Sequence, residues 1–408
     1  MYLLKIILLA IFAISSYGAF ANCNIKNSQE LFNIIKEGHP EIKYNESLEK
    51  AYSETLSISS QLPNPELEAS REEGKSLEGD TSVTSLALSF PIELGGKRSA
   101  RKNYAINSTN MNKQILRLSS EDAYIKAILI AYRLRQVYEL LPIYKEALDS
   151  LNKILKIKLK RKSLSPEEEV EKETLGLATN DYRLKISRLK SEREKISREL
   201  SLSMGRDCRI SRGSLPLDVD LTKDFSDKND FEKSAQLLQA KESLNAARAK
   251  LELEKSQAFP DMKIGPTLEV ERVRGRDYKS YGISVSIGLP VFNLNSGARK
   301  KATRELHSSE LNHKHVKRHV MIELESEIEK YNTFRESLKT IASRDELEKK
   351  HMRIEKLFKR GVISTSMIIE SHRQLIEFAS TRFEFELGAV EAIWNINKIK
   401  GAVFSSKI

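Results

Sequence analysis

The residues best suited to bind a metal ion are three histidines in one segment, His313, His315 and His319. His315 and His319 are four positions apart, a spacing that can place two imidazoles on one face of a helix. Three basic residues stand among them, at positions 314, 317 and 318, and their positive charge repels a cation. We therefore interpret this segment as the solvated surface of a helix and predict neither a metal site nor a cofactor.

Other motifs that would support catalysis do not occur in the sequence. It has no nucleophile elbow, phosphate-binding glycine loop, zinc-protease motif or EF-hand. Carboxylates are abundant, but their abundance on helical segments does not create an acid and base pair. The sequence therefore predicts a protein that is not an enzyme.

The composition and the first residues indicate an exported protein. The 408-residue chain is 31% charged and has a net charge of +11, which is spread along helical segments. This is unlike the clustered basic face of a nucleic-acid-binding protein, so we predict no nucleic-acid partner. Lys5, the apolar run 6–14 and the Ala-Phe-Ala at 19–21 predict a signal peptide over residues 1–21. No later apolar run approaches the 18 or so residues that a membrane helix needs.

The two cysteines, Cys23 and Cys208, permit a disulfide because exported proteins fold under oxidising conditions. One sequence does not show whether their Cα atoms come within bridging distance, so a bridge and two free thiols both remain open. Lipidation of Cys23 is disfavoured, because Asn22 stands where a small residue is expected.

Residues 280–290, SYGISVSIGLP, have the alternation of a β-strand. Serine and glycine line one face, and the other face is apolar: Tyr281, Ile283, Val285, Ile287 and Leu289. A soluble, half-buried strand usually carries charged residues on its outer face. Two interpretations remain, a strand packed on a close neighbour or a barrel strand with lipid outside and a narrow lumen inside.

The chain contains two copies of one unit. "SLALSFPIELGGKRSARKNYA" (85–105) resembles "GISVSIGLPVFNLNSGARKKA" (282–302). Two pairs of landmarks each lie 199 positions apart: Pro91 with Pro290, and Ser165 with Ser364. Equal offsets predict long uninterrupted helices between the landmarks, because one extra residue would rotate everything beyond it by about 100°.

We predict repeat 1 over residues 22–206 and repeat 2 over residues 207–408. Each contains a β-hairpin, and the predicted strands are 66–73 and 82–90, then 262–272 and 279–289, joined by the polar loops "GKSLEGDT" and "RGRD". A helix of about 65 to 70 residues, about 100 Å long, follows each hairpin. Each long helix ends at a helical-hairpin tip, near 162–166 and 361–365, and a helix of about 35 residues returns. Pro142 should kink the first long helix, whereas its counterpart in the second is Ile341.

Four strands cannot close a barrel, since the smallest barrels need about eight. If these strands lie in a membrane, the barrel must be shared between several chains. The fold class predicted is therefore mostly α-helical with a membrane β-barrel, in which each repeat is a β-hairpin followed by long antiparallel coiled-coil helices.

The order of these segments resembles the TolC-like outer-membrane efflux proteins, and the heavy-metal and cation efflux branch most closely. The segments that carry the resemblance include "LPNPELEAS", "LSFPIELGGKRSARKNYA", "SIGLPVFNLNSGARKKA" and "RGVISTSMIIESHRQLIEFAS". The resemblance implies a homotrimer with a twelve-stranded barrel in the outer membrane of a Gram-negative bacterium, continued by a helical tunnel across the periplasm. It further implies a periplasmic adaptor protein and an inner-membrane pump as partners, in tripartite efflux or type I secretion.

The resemblance also implies two sets of site residues. The tip positions that match the adaptor-docking motif are Leu164, Ser165 and Pro166 in the first copy and Gly361, Val362, Ile363, Ser364 and Thr365 in the second. Similar proteins close the tunnel with acidic rings, for which the candidates are Glu370 and the first-copy residues Glu167, Glu168 and Glu171. Met367 occupies the other acidic position of the pattern, which departs from the family. Helix turns and the helix dipole are the alternative explanation for both sets.

A second class of function remains open: an exported periplasmic coiled-coil adaptor or a cell-envelope tether whose strands form a small soluble domain. The apolar alternation at 281–289 and the duplication favour the channel, because an adaptor needs one helical hairpin and a separate β-rich domain.

Overall fold

The computed structural model describes residues 23–76, 79–225, 227, 229–341 and 344–406, so the predicted signal peptide lies outside the described residues. The helices in chain order are α1 (Ser28–Gly38), α2 (Pro40–Ser60), α3 (Lys97–Leu159), α4 (Pro166–Ser203), α5 (Ala235–Ser256), α6 (Ser296–Thr340), α7 (Arg344–Lys359) and α8 (Thr365–Ile399). The strands are β1 (Cys23–Asn24), β2 (Glu66–Ser76), β3 (Gly79–Ile92), β4 (Cys208–Arg209), β5 (Met262–Val273) and β6 (Arg276–Ile287).

The helix boundaries repeat with the offset of 199 positions that the sequence shows. α3 begins after Gly96 and α6 begins after Asn295, and both preceding residues are left-handed, with φ of 71° and 53°. α4 and α8 likewise begin 199 positions apart, after Ser165 and Ser364. The same local turn chemistry thus starts each helix in both copies, while the boundary between the repeats at residues 206 and 207 stays a prediction.

The second long helix is interrupted, contrary to the prediction of two uninterrupted helices. α3 continues past Pro142 for its full 63 residues, whereas Ile341 adopts an extended conformation with φ −83° and ψ 156° and ends α6. Proline removes one helical hydrogen bond, but buried Leu140 and Leu141 hold α3 at this point. In α6 the last buried residue is Leu338, and the β-branched Thr340 and Ile341 that follow it favour an extended backbone.

The larger sheet is fully antiparallel, with the strand order β2-β3-β5-β6. Its strands are longer than predicted, so the polar loops are shorter. β5 and β6 are joined by the two residues Arg274 and Gly275, whose φ values of 49° and 76° are those of a type I′ turn.

The last strand ends earlier than predicted, which corrects one proposed lipid-facing residue. β6 stops at Ile287, and Leu289 lies beyond it. Gly288 and Pro290 account for this end, because glycine weakens a strand and proline cannot donate to the ladder.

The helices pack around α3, which contacts α2, α4, α5 and α8, while α6 packs on α5 and α8. The main core includes Phe32, Ile128, Leu134 and Trp394. The larger sheet contributes no side chain to the hydrophobic cores among the described residues. Within the described part of the chain, no helix is sufficiently long and apolar to cross a bilayer.

The two short strands bring Cys23 and Cys208 together, which decides between a disulfide and two free thiols. β1 and β4 pair in parallel with Cys23 opposite Cys208. These cysteines form a disulfide, with their Cα atoms 4.6 Å apart. The sulfur that lipidation of Cys23 would require is therefore bonded to Cys208.

Candidate functional site

One face of the larger sheet is apolar from the strand ends that adjoin the helices up to the row of Leu86, and the next row on this face contains Arg71 and Lys279. Leu86, Leu268 and Tyr281 stand opposite one another across three strands, and a second row contains Phe90, Ile264 and Val285. Tyr281 is 79% exposed and Ile283 is 78% exposed. Among the described residues of the single chain nothing covers this face, although it carries the residues that usually form a core.

The opposite face of the sheet is polar, and on β6 its residues are mostly serine and glycine. Across β5 and β6, Gly282 faces Thr267 and Ser280 faces Glu269. Lys263 on the same face forms an ion pair of 2.6 Å with Glu66. Alternation along the strands thus separates an apolar side from a side that water can wet.

The outer edges of this sheet have no partner strand among the described residues. β2 pairs only with β3, and β6 pairs only with β5. Each edge strand is at least 11 residues long, so each leaves a row of backbone donors and acceptors open. Such edges template pairing with another strand.

The second hairpin tip is a compact turn between α7 and α8. Gly361 has φ 72°, its N–H donates to the carbonyl of Phe358 at 2.8 Å, and the N–H of Val362 donates to Leu357 at 3.1 Å. This is the Schellman motif, which needs glycine at the left-handed position. Ser364 then caps α8 by accepting from the N–H of Met367 at 3.4 Å.

The first tip is closed by a reciprocal capping box. The Ser165 hydroxyl accepts from the N–H of Glu168 at 3.2 Å, and the Glu168 carboxylate accepts from the N–H of Ser165 at 3.1 Å. Pro166 occupies the first helical position, where a missing N–H costs nothing. The hydrogen bond from the backbone of Ser165 is the main cause that lowers the pKa of Glu168.

The predicted tip residues therefore differ in what they expose. Ser165, Gly361 and Ser364 form the turns themselves. Thr365 is buried, which removes it from the contact surface proposed from the sequence. Val362 is 65% exposed, while Leu164 and Ile363 are partly exposed. These are the predicted tip residues whose apolar side chains reach the surface.

Glu370 lies on α8 one and a half turns after the tip, and its carboxylate is paired. The Arg373 guanidinium donates two hydrogen bonds to it, at 2.7 and 2.8 Å, and Gln374 donates a third at 2.8 Å. These bonds lower the pKa of Glu370 to about 2. Arg373 also pairs with Glu377 at 2.7 Å.

The acidic residues of the first tip are also paired. Glu168 forms an ion pair with Arg161, and Glu171 forms one with Lys158. Glu167 lies exposed in the first turn of α4. Since two of these three carboxylates neutralise basic residues within their own hairpin, they do not form a bare acidic cluster in the single chain.

One group that the sequence analysis missed lies between α7 and α8. His351, Glu355 and His372 place one ligand atom each within 4.8 Å of one another. His351 is ten residues before Gly361, and His372 is ten residues after Val362. Equal distances from the turn of an antiparallel hairpin predict such a contact, and this was the available signal. By contrast, His315 and His319 lie on the exposed surface of α6, with ring centroids 6.3 Å apart.

The chain is similar in structure to several outer-membrane channels. The alignment with the Campylobacter jejuni CmeC outer membrane channel has a TM-score of 0.74 and 14% identity, and covers 96% of this chain and 92% of that chain. The open state of the Neisseria gonorrhoeae MtrE outer membrane channel gives a TM-score of 0.72 at 13% identity, over 95% and 93% of the two chains. This chain has the outer-membrane channel fold. The VceC outer membrane protein from Vibrio cholerae gives a TM-score of 0.68 at 12% identity, over 91% of this chain and 95% of that chain.

The outer-membrane channel fold confirms the TolC-like fold that the duplicated hairpins and long helices predicted. No protein-family model matches the sequence, and no curated protein matches it. At identities of 12% to 14% the property shared with these structures is the fold.

Proposed function

We propose that this protein is an outer-membrane exit duct of a Gram-negative bacterium, which passively conducts substrate in tripartite efflux or type I secretion. The observation that carries the proposal is the four-stranded sheet, with its exposed apolar face, its polar opposite face and its two open edges. The protein supplies a path and performs no covalent chemistry.

The sheet supports a barrel shared by three chains. An open edge within a bilayer would leave backbone groups without hydrogen-bond partners, so only a closed sheet is stable there. Pairing β6 of one copy with β2 of the next satisfies both edges. Three copies supply twelve strands, which exceeds the minimum of about eight for a barrel. The apolar face then meets lipid, and the serine and glycine face lines the lumen.

The helices support the same assembly. Val170, Leu177 and Leu184 recur every seven residues along α4 and are between 68% and 74% exposed. They lie on the opposite side of α4 from the buried Leu175 and Tyr182, because each residue advances about 100° around the axis. An apolar stripe of this period is the seam of a coiled coil, and we assign it to a second copy of the chain.

The exposed surface area of the chain is larger than a compact monomer would have, as expected for one subunit of an oligomer. The chain exposes 26440 Å². A compact monomer of its mass exposes about 16,000 Å². Exposed apolar side chains on the sheet and the long helices, such as Tyr281 and Leu177, are surface that the trimer or the surrounding lipid would cover.

The helices extend the duct away from the membrane. At 63 residues, α3 is about 95 Å long. The sheet lies before the start of α3 and the hairpin tip lies after its end, so the tips would reach deep into the periplasm. There the exposed Val362 and the partly exposed Leu164 and Ile363 would contact a periplasmic adaptor, which couples the duct to an inner-membrane pump.

The test is the oligomeric state and conductance of the full chain. The protein would be extracted from outer membranes in detergent, sized by light scattering and added to a planar lipid bilayer. A trimer with discrete channel openings is the expected result. A water-soluble monomer or dimer without conductance would contradict the proposal and favour the periplasmic adaptor or envelope tether.

A further inference from the structure

The group His351, Glu355 and His372, in which both histidines are buried, holds side chains that the proposed duct does not use. His351 and Glu355 are four residues apart on α7, and His372 lies on the facing turn of α8. The two imidazoles are 6% and 1% exposed. We infer that these three residues form a binding site for a divalent transition-metal ion of the Zn²⁺ class, which ties α7 to α8.

An unpaired nitrogen atom is the first argument. Among the described residues, the buried Nε2 of His372 has no hydrogen-bond partner. A buried polar atom without a partner costs about 1–3 kcal/mol, so it requires an explanation. The two rings pack edge to face with their centroids 4.7 Å apart. Two phenylalanines could pack in the same way, so ring packing does not explain why both residues are histidines. A metal bound to Nε2 of His372 supplies the missing partner.

Distances are the second argument. The Nε2 atoms of His351 and His372 lie 3.9 and 4.0 Å from the same oxygen, Oε1 of Glu355. Ligand atoms in a tetrahedral zinc site with bonds near 2.1 Å are separated by about 3.4 Å. Small side-chain rotations, without movement of either helix, would bring the three atoms onto one ion.

A fourth ligand and a fixed carboxylate are present at the same place. Oε1 of Glu146, on α3, is 3.8 Å from Nε2 of His351. Ser150, one turn further along α3, donates to Oε1 of Glu355 at 3.1 Å, which orients this carboxylate. Glu146 and His351 also line a cavity beside Pro142 and Leu375, which gives an ion a route to the site.

The charges and donor types select the class of ion. Two imidazoles with carboxylates suit Zn²⁺ and similar transition ions, whereas Ca²⁺ and Mg²⁺ require mainly oxygen ligands. Two carboxylates balance the charge of a divalent ion, and the ammonium of Lys359 lies 3.5 Å from the other oxygen of Glu355.

The test uses the full chain in detergent, stripped of metal with a chelator and titrated with ZnCl₂ by calorimetry. One ion per chain is expected, as is a visible absorption band when Co²⁺ replaces Zn²⁺. The double variant His351→Gln with His372→Gln should lose both signals. Mutating a residue that only hydrogen-bonds to a metal ligand lowers the metal affinity by about 10- to 100-fold. Glu355→Gln alters a ligand itself, so it should weaken Zn²⁺ binding at least tenfold. Zn²⁺ should raise the melting temperature of the unmodified protein and leave that of the double variant unchanged.

The exposed histidines provide the matched control, because His313→Gln, His315→Gln and His319→Gln together remove more imidazoles from the surface of α6. This triple variant should bind Zn²⁺ like the unmodified protein. Unchanged binding by the double variant, loss of binding in the triple variant, or no stoichiometric binding by the unmodified protein would each overturn the inference. If the double variant fails to fold, the nearly isosteric Glu355→Gln decides by its affinity alone.

Discussion

Cys23 and Cys208 stand opposite each other in the parallel pair of β1 and β4 and are joined by a disulfide across 185 positions of sequence. The loop that the bond closes contains α1, α2, β2, β3, α3 and α4. The bond thereby ties the start of the predicted first repeat to the start of the predicted second one. Both cysteines also pack against the main hydrophobic core, so the bond anchors two chain segments to the same part of the helical body.

Removing this bond should destabilise the protein. The double variant Cys23→Ser with Cys208→Ser should lower the free energy of unfolding by about 2–5 kcal/mol, because the unfolded chain gains conformational freedom. The measurement is urea denaturation followed by circular dichroism in detergent. Reducing the unmodified protein should lower its stability to that of the variant, and the reductant should leave the variant unchanged. Equal stability of the oxidised protein and the variant would show that the bond contributes nothing.

Charge on the two faces of β6 should have opposite consequences. Tyr281→Lys places an ammonium on the apolar face, where a lysine in the middle of a bilayer costs about 2–4 kcal/mol. Its neighbour Ser280 lies on the polar face opposite Glu269, so Ser280→Lys should be tolerated. The measurement is the amount of heat-stable trimer recovered from outer membranes. We expect a large loss for Tyr281→Lys only, and equal recovery of both variants would contradict the assignment of faces.

The stripe on α4 should control assembly of the trimer. Leu177→Glu places a charge in the middle of the stripe and should shift the detergent-extracted protein from trimer towards monomer. Ser187→Glu adds the same charge to an exposed position about 80° away around the helix and serves as the control. Size-exclusion chromatography with light scattering distinguishes the two states. A trimer that persists in Leu177→Glu would show that the stripe faces solvent or another protein.

The sequence predicted the features that depend on local chemistry. Ser165 and Ser364 mark helix starts because a hydroxyl caps the orphan N–H groups wherever the turn occurs, and Gly361 marks a left-handed helix end for a similarly local reason. The paired strands followed from period-two alternation. The exception was Leu289, where Gly288 and Pro290 ended the strand.

Features that depend on packing between distant segments were not predictable in the same way. Pro142 is a strong helix breaker, yet buried neighbours hold α3 together, while the chain breaks at the less conspicuous Ile341. The pairing of Cys23 with Cys208 needed the register of β1 and β4. The contact of His351 with His372 follows from symmetry about the Gly361 turn only when the turn is known to be sharp and the helices to be antiparallel.

Glu370 is a candidate for the acidic ring that closes the tunnel, and its ion pair with Arg373 should determine how the charge of this ring changes with pH. A carboxylate with a lowered pKa stays charged until the pH falls through that lowered value. Arg373 and Gln374 lower the pKa of Glu370 to about 2, so its charge should be unchanged between pH 7 and pH 4. In Arg373→Gln the pKa should return towards about 4.3, and the carboxylate should become protonated as the pH approaches 4.

Reversal potentials in a salt gradient across a planar bilayer measure this effect. Arg373→Gln removes a positive charge and should increase the preference for cations at pH 7, and this gain should shrink between pH 5.5 and pH 4. Glu370→Gln should lower the preference at every pH, because Arg373 then has one carboxylate partner fewer. Arg198→Gln removes the same charge from an exposed position far along α4 and should leave the pH profile unchanged. If Arg373→Gln and Arg198→Gln behave alike, Glu370 does not line the conduction path.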